Sequence, residues 1–176
     1  MITPVIESER IILRPLVVGD AEHIYQSWTS DPEVAKFMIW EVHQSVDVTR
    51  EWLKSVEQDV DNDHSYIWGF VLKETGKLFG SGGITFKEEL GCYELGYNIM
   101  KKYWGQGLTT EAGRVILDFA VHSLGEKKFF CRHAADNIGS QKVMMKLGFK
   151  YYGESSYTSL SGLKTFASKD YCLAME

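Results

Sequence analysis

The chain has 176 residues, 44% of them hydrophobic and 13% aromatic, with 19 Lys and Arg against 24 Asp and Glu. This aromatic content excludes a disordered polypeptide, and a chain of this length buries about 70% of its unfolded surface without a disulfide or metal staple. The net charge of −5 argues against non-specific nucleic-acid binding, and no apolar run of about 18 residues is present to span a membrane.

The length fits one domain, 1–176. Cys92, Cys131 and Cys172 are odd in number and too far apart for a CxxC pair, which points to reduced thiols in a cytoplasmic protein. The opening stretch carries Glu7 and Glu9 ahead of its short apolar run, against the pattern of a secretory signal.

Residues 10–15, RIILRP, read as a first strand closed by Pro15. Asp20 is placed to cap a helix running to about Ser30, with Ala21, Ile24, Tyr25 and Trp28 on one face; Asp31–Pro32 interrupts it. A second helix is expected from Ser45 or Asp47, with a stripe of Val48, Trp52, Leu53 and Val56. Tyr66–Leu72, Leu78–Phe86 and Tyr93–Met100 read as three strands of an antiparallel meander. Helical spacing returns in Thr110–His122, then come a strand at Lys128–Arg132, a helix at Ser140–Leu147 stopped by Gly148, and two final strands. This order gives an α+β fold with a mixed, mostly antiparallel sheet of about seven strands and about four helices.

Met100–Ala112, MKKYWGQGLTTEA, is the segment richest in chemistry. A strand ends, a loop with Gly105 and Gly107 follows, and a helix opens near Thr109–Thr110. Glycines let the backbone approach a ligand, and amides at a helix start attract phosphate oxygens. The string is neither a P-loop nor a dinucleotide fingerprint, since the first lacks its GK[ST] and the second would need Gly at Thr110. The DVDND run around Asp59–Asp63 has His64 and Phe70 where a calcium loop needs Gly and Glu, and the five histidines form no close pair, so no metal is expected.

Three stretches together resemble the GNAT family of N-acetyltransferases, within it the branch that acetylates ribosomal-protein N-termini and related amines. Lys102–Tyr–Trp–Gly105–Gln–Gly107 resembles the family's pyrophosphate loop, with Lys102 where Gln or Arg is usual. Asn137xxSer140 leading into Lys146–Leu–Gly–Phe149 resembles the second signature, and Arg10–Ile–Ile–Leu–Arg14–Pro15 fits the opening. The likeness covers nearly the whole chain.

The resemblance implies acetyl-CoA as donor and an amine as acceptor. It implies that the Tyr93–Met100 strand bulges and splays from Lys128–Arg132, so that the pantetheine arm pairs with backbone near Ile99 and Met100. It places the pyrophosphate on Trp104, Gly105, Gln106, Gly107, Leu108 and Thr109. Asn137 would bond the pantetheine or hold the loop, Ser140 would face the thioester sulfur, and Lys142 would meet the adenine or ribose-phosphate end.

Amine attack on a thioester needs a proton acceptor, for which Glu94 is the first candidate, and a donor to the oxyanion, which a strand amide near Ile99 can supply. Strict alternation puts Glu94, Gly96, Asn98 and Met100 on one face. Ser140 is the first candidate for hydrogen-bonding the sulfur; Tyr97 and Tyr103 are alternatives. Trp28, Phe37, Trp40 and Trp68 are candidates for the acceptor wall. The acceptor reads as a protein N-terminal amine, with a polyamine, amino acid or aminoglycoside as the alternative, or the chain as a non-catalytic acyl-CoA-binding domain. The tail Phe166–Met175 offers a strand for a homodimer.

Overall fold

The computed structural model describes all 176 residues. One sheet runs through it in the spatial order β1-β2-β3-β4-β5-β6-β8-β7. The strands are β1 (Ile6–Glu7), β2 (Ile11–Pro15), β3 (Ser65–Leu72), β4 (Leu78–Lys87), β5 (Cys92–Ile99), β6 (Lys128–Ala134), β7 (Lys150–Thr158) and β8 (Thr165–Ala174). Every neighbouring pair is antiparallel except β5 and β6.

The eighth strand is β1, which pairs Ile6 with Leu13; two residues are too short for an alternation signal. The fifth helix is α2 (Pro32–Ala35). Asp31 and Pro32, expected only to break a helix, start this one: the Asp31 carboxylate accepts from the Glu33 N–H and Pro32 fills the first position. Helix α1 (Ala21–Ile24) continues through a π-helical turn, Tyr25–Thr29. The Asp20 side chain does not cap it, because its carboxylate is taken by Arg14 and by the Val17 N–H. Helix α3 (Val46–Gln58) starts at Ser45 as expected, but Val48 is exposed, and Thr49 joins Leu53 as its buried positions.

Two cores result. Helix α4 (Leu108–Leu124) lays Leu108, Ala112, Ile116, Phe119 and Ala120 against Ile11, Leu13, Tyr66, Trp68, Phe70 and Ile84 of the strands. On the opposite face, α1 and α3 bury Ile24, Trp28 and Leu53 with Leu16 and Leu78. Helix α5 (Ile138–Lys146) contributes Met144 to the α4 side. Burying a large apolar side chain is worth about 1.5–3 kcal/mol, so the fully enclosed Trp28 and Trp68 are core anchors rather than acceptor walls. The β8 strand lies between β6 and β7, both of its edges paired, so it offers no free edge to a second subunit.

Candidate active site

The site begins where two strands part. β5 and β6 are in register only at Tyr93–Phe129 and Glu94–Phe130; beyond Glu94 no partner is paired, and the sheet opens into a V. β4, by contrast, stays paired to β5 from Lys87–Cys92 to Gly80–Ile99 with no slip. The expected splay is present and the expected bulge in β5 is not. The slip lies one strand further out, where β3 leaves Phe79 of β4 unmatched between Gly80 and Leu78.

The hydrogen-bond phase of β5 follows from one contact. The Met100 N–H donates to Phe79 O at 2.8 Å, just beyond the Gly80–Ile99 pair, so Ile99 and Tyr97 turn their N–H and C=O groups away from β4 and into the gap. Consistently, the Leu95 carbonyl, in the same phase, accepts from Cys131 Sγ across the gap at 3.3 Å. Met100 is consumed internally, since its carbonyl also accepts from the Tyr103 N–H. The Ile99 carbonyl accepts from Trp104 Nε1 at 3.1 Å. The amides aimed into the gap are therefore those of Tyr97 and Ile99, and the pairing expected at Met100 moves to Tyr97.

The loop after β5 turns on two left-handed residues, Gly105 at φ 74° and Gly107 at φ 75°. Gly107 is the N-cap of α4 and makes no side-chain cap, so the first-turn amides keep their donors, as an anion site requires. The helix opens at Leu108 rather than at Thr109–Thr110; Leu108 is buried, and Thr109 lines the cleft. A brace holds the loop from the far side. Glu111 accepts from Ser8 Oγ at 2.7 Å, the Arg10 N–H at 2.8 Å and Arg10 Nε at 2.6 Å, while Arg10 Nη1 donates to Gln106 O at 3.2 Å. Burial alone would raise the Glu111 carboxyl, but these donors outweigh it and hold it below the usual carboxylate range.

The cleft has an empty volume of about 1180 Å³, its open mouth included, and is bounded on the donor side by Tyr97, Ile99, Trp104, Gly105, Asn137 and Ser140. Asn137 caps α5, its Oδ1 accepting from the Ser140 N–H at 3.2 Å, so Ser140 is not the cap but stands one turn inside it. Ser140 Oγ is 3.0 Å from the Tyr97 hydroxyl. Lys142 is exposed on α5 and does not line the cleft; Tyr103 is packed in the core against Phe79.

The opposite side of the cleft is built from distant parts of the chain. Glu33, Lys36, Phe37 and Met38 line it. The loop after α2 reaches the β7–β8 hairpin: Tyr157 Oη donates to Phe37 O at 2.7 Å, the Leu160 N–H donates to Ile39 O at 2.7 Å, and Lys164 pairs with Glu41 at 3.0 Å. Of the four aromatic wall candidates, only Phe37 reaches the cleft; Trp40 packs on the α1–α3 core.

Glu94 shares the acceptor face of β5 with Gly96 and Asn98, as alternation predicts, but it does not line the cleft, and its carboxylate pairs with Lys87 Nζ at 3.2 Å. Gly96 is exposed, and a Cβ there would meet nothing within 4 Å, which leaves an open track along the strand between Glu94 and Asn98.

A sheet parted between parallel neighbours, with unpaired amides on one lip and a glycine-rich helix start beside it, defines a cleft suited to an extended, phosphate-bearing ligand. The family model of the acetyltransferase (GNAT) domain matches residues 10–150, so the chain belongs to the GNAT acetyltransferases. An uncharacterized N-acetyltransferase of Bacillus licheniformis, p20, is 28% identical over 147 residues, spanning 83% of this chain and 82% of its own. Two solved structures share the fold. The ribosomal-protein-S5-alanine acetyltransferase of Vibrio fischeri superposes with a TM-score of 0.79 at 17% identity, covering 98% of this chain and 97% of that one. The microcin C7 self-immunity acetyltransferase MccE, solved with acetyl-CoA and AMP, superposes with a TM-score of 0.81 at 17% identity, covering 96% and 94%. This chain is an acetyl-CoA-dependent N-acetyltransferase. No helix is long and apolar enough to cross a membrane, and no group of three or more His, Cys, Asp or Glu is placed to hold a metal ion.

Proposed function

We propose that the acceptor is the α-amine at the N-terminus of a protein or peptide, acetylated directly while both substrates are bound. The observation that carries this reading is the bridge that ties Phe37–Glu41, whose first residue lines the cleft, to the β7–β8 hairpin, and so holds an ordered chain segment beside the site against which a peptide can lie. The Vibrio fischeri neighbour, named for acetylating a ribosomal-protein alanine, supports the same class.

In this reading acetyl-CoA supplies an activated acyl group, and the chain positions it. The first-turn amides of α4 and the Gly105 and Gly107 backbone hold the pyrophosphate, the Ile99 amide meets the pantetheine, and the Tyr97 amide donates to the thioester oxygen as it gains charge. Trp104, Gln106, Leu108 and Thr109 shape that loop, Asn137 keeps α5 at the edge of the gap, and Lys142 reaches the nucleotide end from outside. The acceptor nitrogen bonds to the acetyl carbon, the C–S bond breaks, and its electron pair leaves with sulfur. The amine proton passes through water along the Gly96 track to Glu94. A simple thiol ionises near pH 8.5, so the departing sulfur takes its own proton from solvent near neutrality.

A panel of hexapeptides beginning Ala, Ser or Met, set against spermidine, free amino acids and an aminoglycoside, tests the acceptor class by release of free thiol. Turnover on peptides alone, sensitive to the first residue, is expected. Turnover confined to small amines would establish the alternative, and binding of acetyl-CoA without turnover on any amine would mark a non-catalytic acyl-CoA-binding domain.

A further inference from the structure

Beside the Cys131 thiol, a second polar side chain stands at the gap between β5 and β6. Tyr97 sends its backbone groups into the gap and its phenol toward the first turn of α5, where the hydroxyl lies 3.0 Å from Ser140 Oγ and 3.3 Å from Ser140 O. Burial pushes this phenol well above the usual tyrosine range, so it keeps its O–H throughout the neutral range. The other polar group beside the ring, the Cys131 thiol, is directed to Leu95 O. The Tyr97 hydroxyl has Ser140 Oγ and Ser140 O within hydrogen-bond reach, and the Ser140 N–H is fixed on Asn137 Oδ1.

A hydroxyl that accepts from one side is left to donate on the other. Ser140 and Tyr97 both line the cleft. We propose that Tyr97 is a positioning residue for thiol departure: by donating to Ser140 Oγ it aims the Ser140 O–H at the sulfur that leaves. The bond between nitrogen and the acetyl carbon forms and the C–S bond breaks as described above; Ser140 stabilises the anionic sulfur by hydrogen bonding and keeps its proton. The same residue thus serves both ends of the thioester, its amide at the oxygen and its phenol, through Ser140, at the sulfur. This inference rests on the reading that Ser140 faces the sulfur.

The test is a double-mutant cycle of Tyr97→Phe and Ser140→Ala in the full chain, with thermal unfolding of each variant recorded alongside. The readout is thiol release from acetyl-CoA, with an Ala-initiated hexapeptide and, independently of any acceptor, with water. Expected are a fall in kcat of about tenfold for each single variant, KM for acetyl-CoA within about twofold, and no further loss in the double variant. A Ser140→Ala enzyme with unchanged kcat would overturn both the placement of Ser140 and the role of Tyr97. A normal Ser140→Ala loss with an undiminished second loss from Tyr97→Phe would overturn the Tyr97 role alone. If only the peptide fails as acceptor, the water reaction still reads thiol departure, so an error in the acceptor class is separated from an error here.

Discussion

The two halves of the cleft are made of different material. The donor half is assembled from backbone: amides on the lip of β5, two left-handed glycines and the uncapped start of α4, all between Tyr97 and Leu108. The half proposed for the acceptor is assembled from segments brought together across the chain, as where the Tyr157 hydroxyl reaches the Phe37 carbonyl, 120 positions away. Backbone recognition tolerates variation in side chains, so the donor half can stay constant while the acceptor half is rebuilt for another amine. The division makes a strong demand: changes on one side should move one substrate's affinity and leave the other's alone.

The largest expected effect is at Gly107. A β-branched residue at φ 75° costs about 1–2 kcal/mol in backbone strain, and relief of that strain withdraws the helix-start amides. Gly107→Val is expected to weaken acetyl-CoA about 30-fold by calorimetry, with acceptor KM unchanged. Next is the bridge. Tyr157→Phe strands the Phe37 carbonyl, worth about 1–3 kcal/mol if it stays buried, and should raise acceptor KM about tenfold while acetyl-CoA affinity stays within about twofold. If both affinities moved together, the two halves would be a single cooperative unit and the comparison would fail.

The Arg10–Glu111 brace sharpens the contrast, because it supports the donor loop from outside the cleft. Its ion pair is partly exposed, so Glu111→Gln should weaken acetyl-CoA only about three- to fivefold. Fluorescence titration would read this.

The smallest effect is on acid stability. For both Glu111 and Asp20, burial would raise the carboxyl, but Arg10 and Ser8 in the first case and Arg14 in the second hold it below its unfolded value. Each depressed pKa adds stability that is complete above the unfolded value near pH 4 and is lost as pH falls through the folded value. Asp20→Asn should therefore lower the unfolding midpoint near pH 7 and flatten its decline below about pH 4.

The same division explains what could be read from the sequence. The glycine loop and the two helix starts were legible because their determinants are local: glycines at fixed spacing before a helical stripe, and Asn137 three residues before Ser140. The order of the longer strands was legible for the same reason. The phase of β5 was not, since it depends on pairing with β4, fixed where the Met100 N–H meets Phe79 O. Nor was the Glu94–Lys87 pair, which forms across the β4–β5 register. Trp28 and Trp68 invited an acceptor role, but an aromatic in an amphipathic stripe looks the same in sequence whether it faces the core or a cleft. The bridge from Phe37 to Tyr157 has no local signature.

The most direct test is thermal unfolding of the wild type and Gly107→Val with and without acetyl-CoA, with NADH and ATP as controls. A ligand at about 100 times its dissociation constant adds about 2.7 kcal/mol, which for a chain of this size raises the midpoint by roughly 5–10 °C. The account predicts that rise for the wild type with acetyl-CoA alone, and less than half of it for Gly107→Val at the same concentration. Equal shifts in the two proteins, or none in either, would contradict the assignment of the Gly105–Gly107 backbone as the seat of the donor.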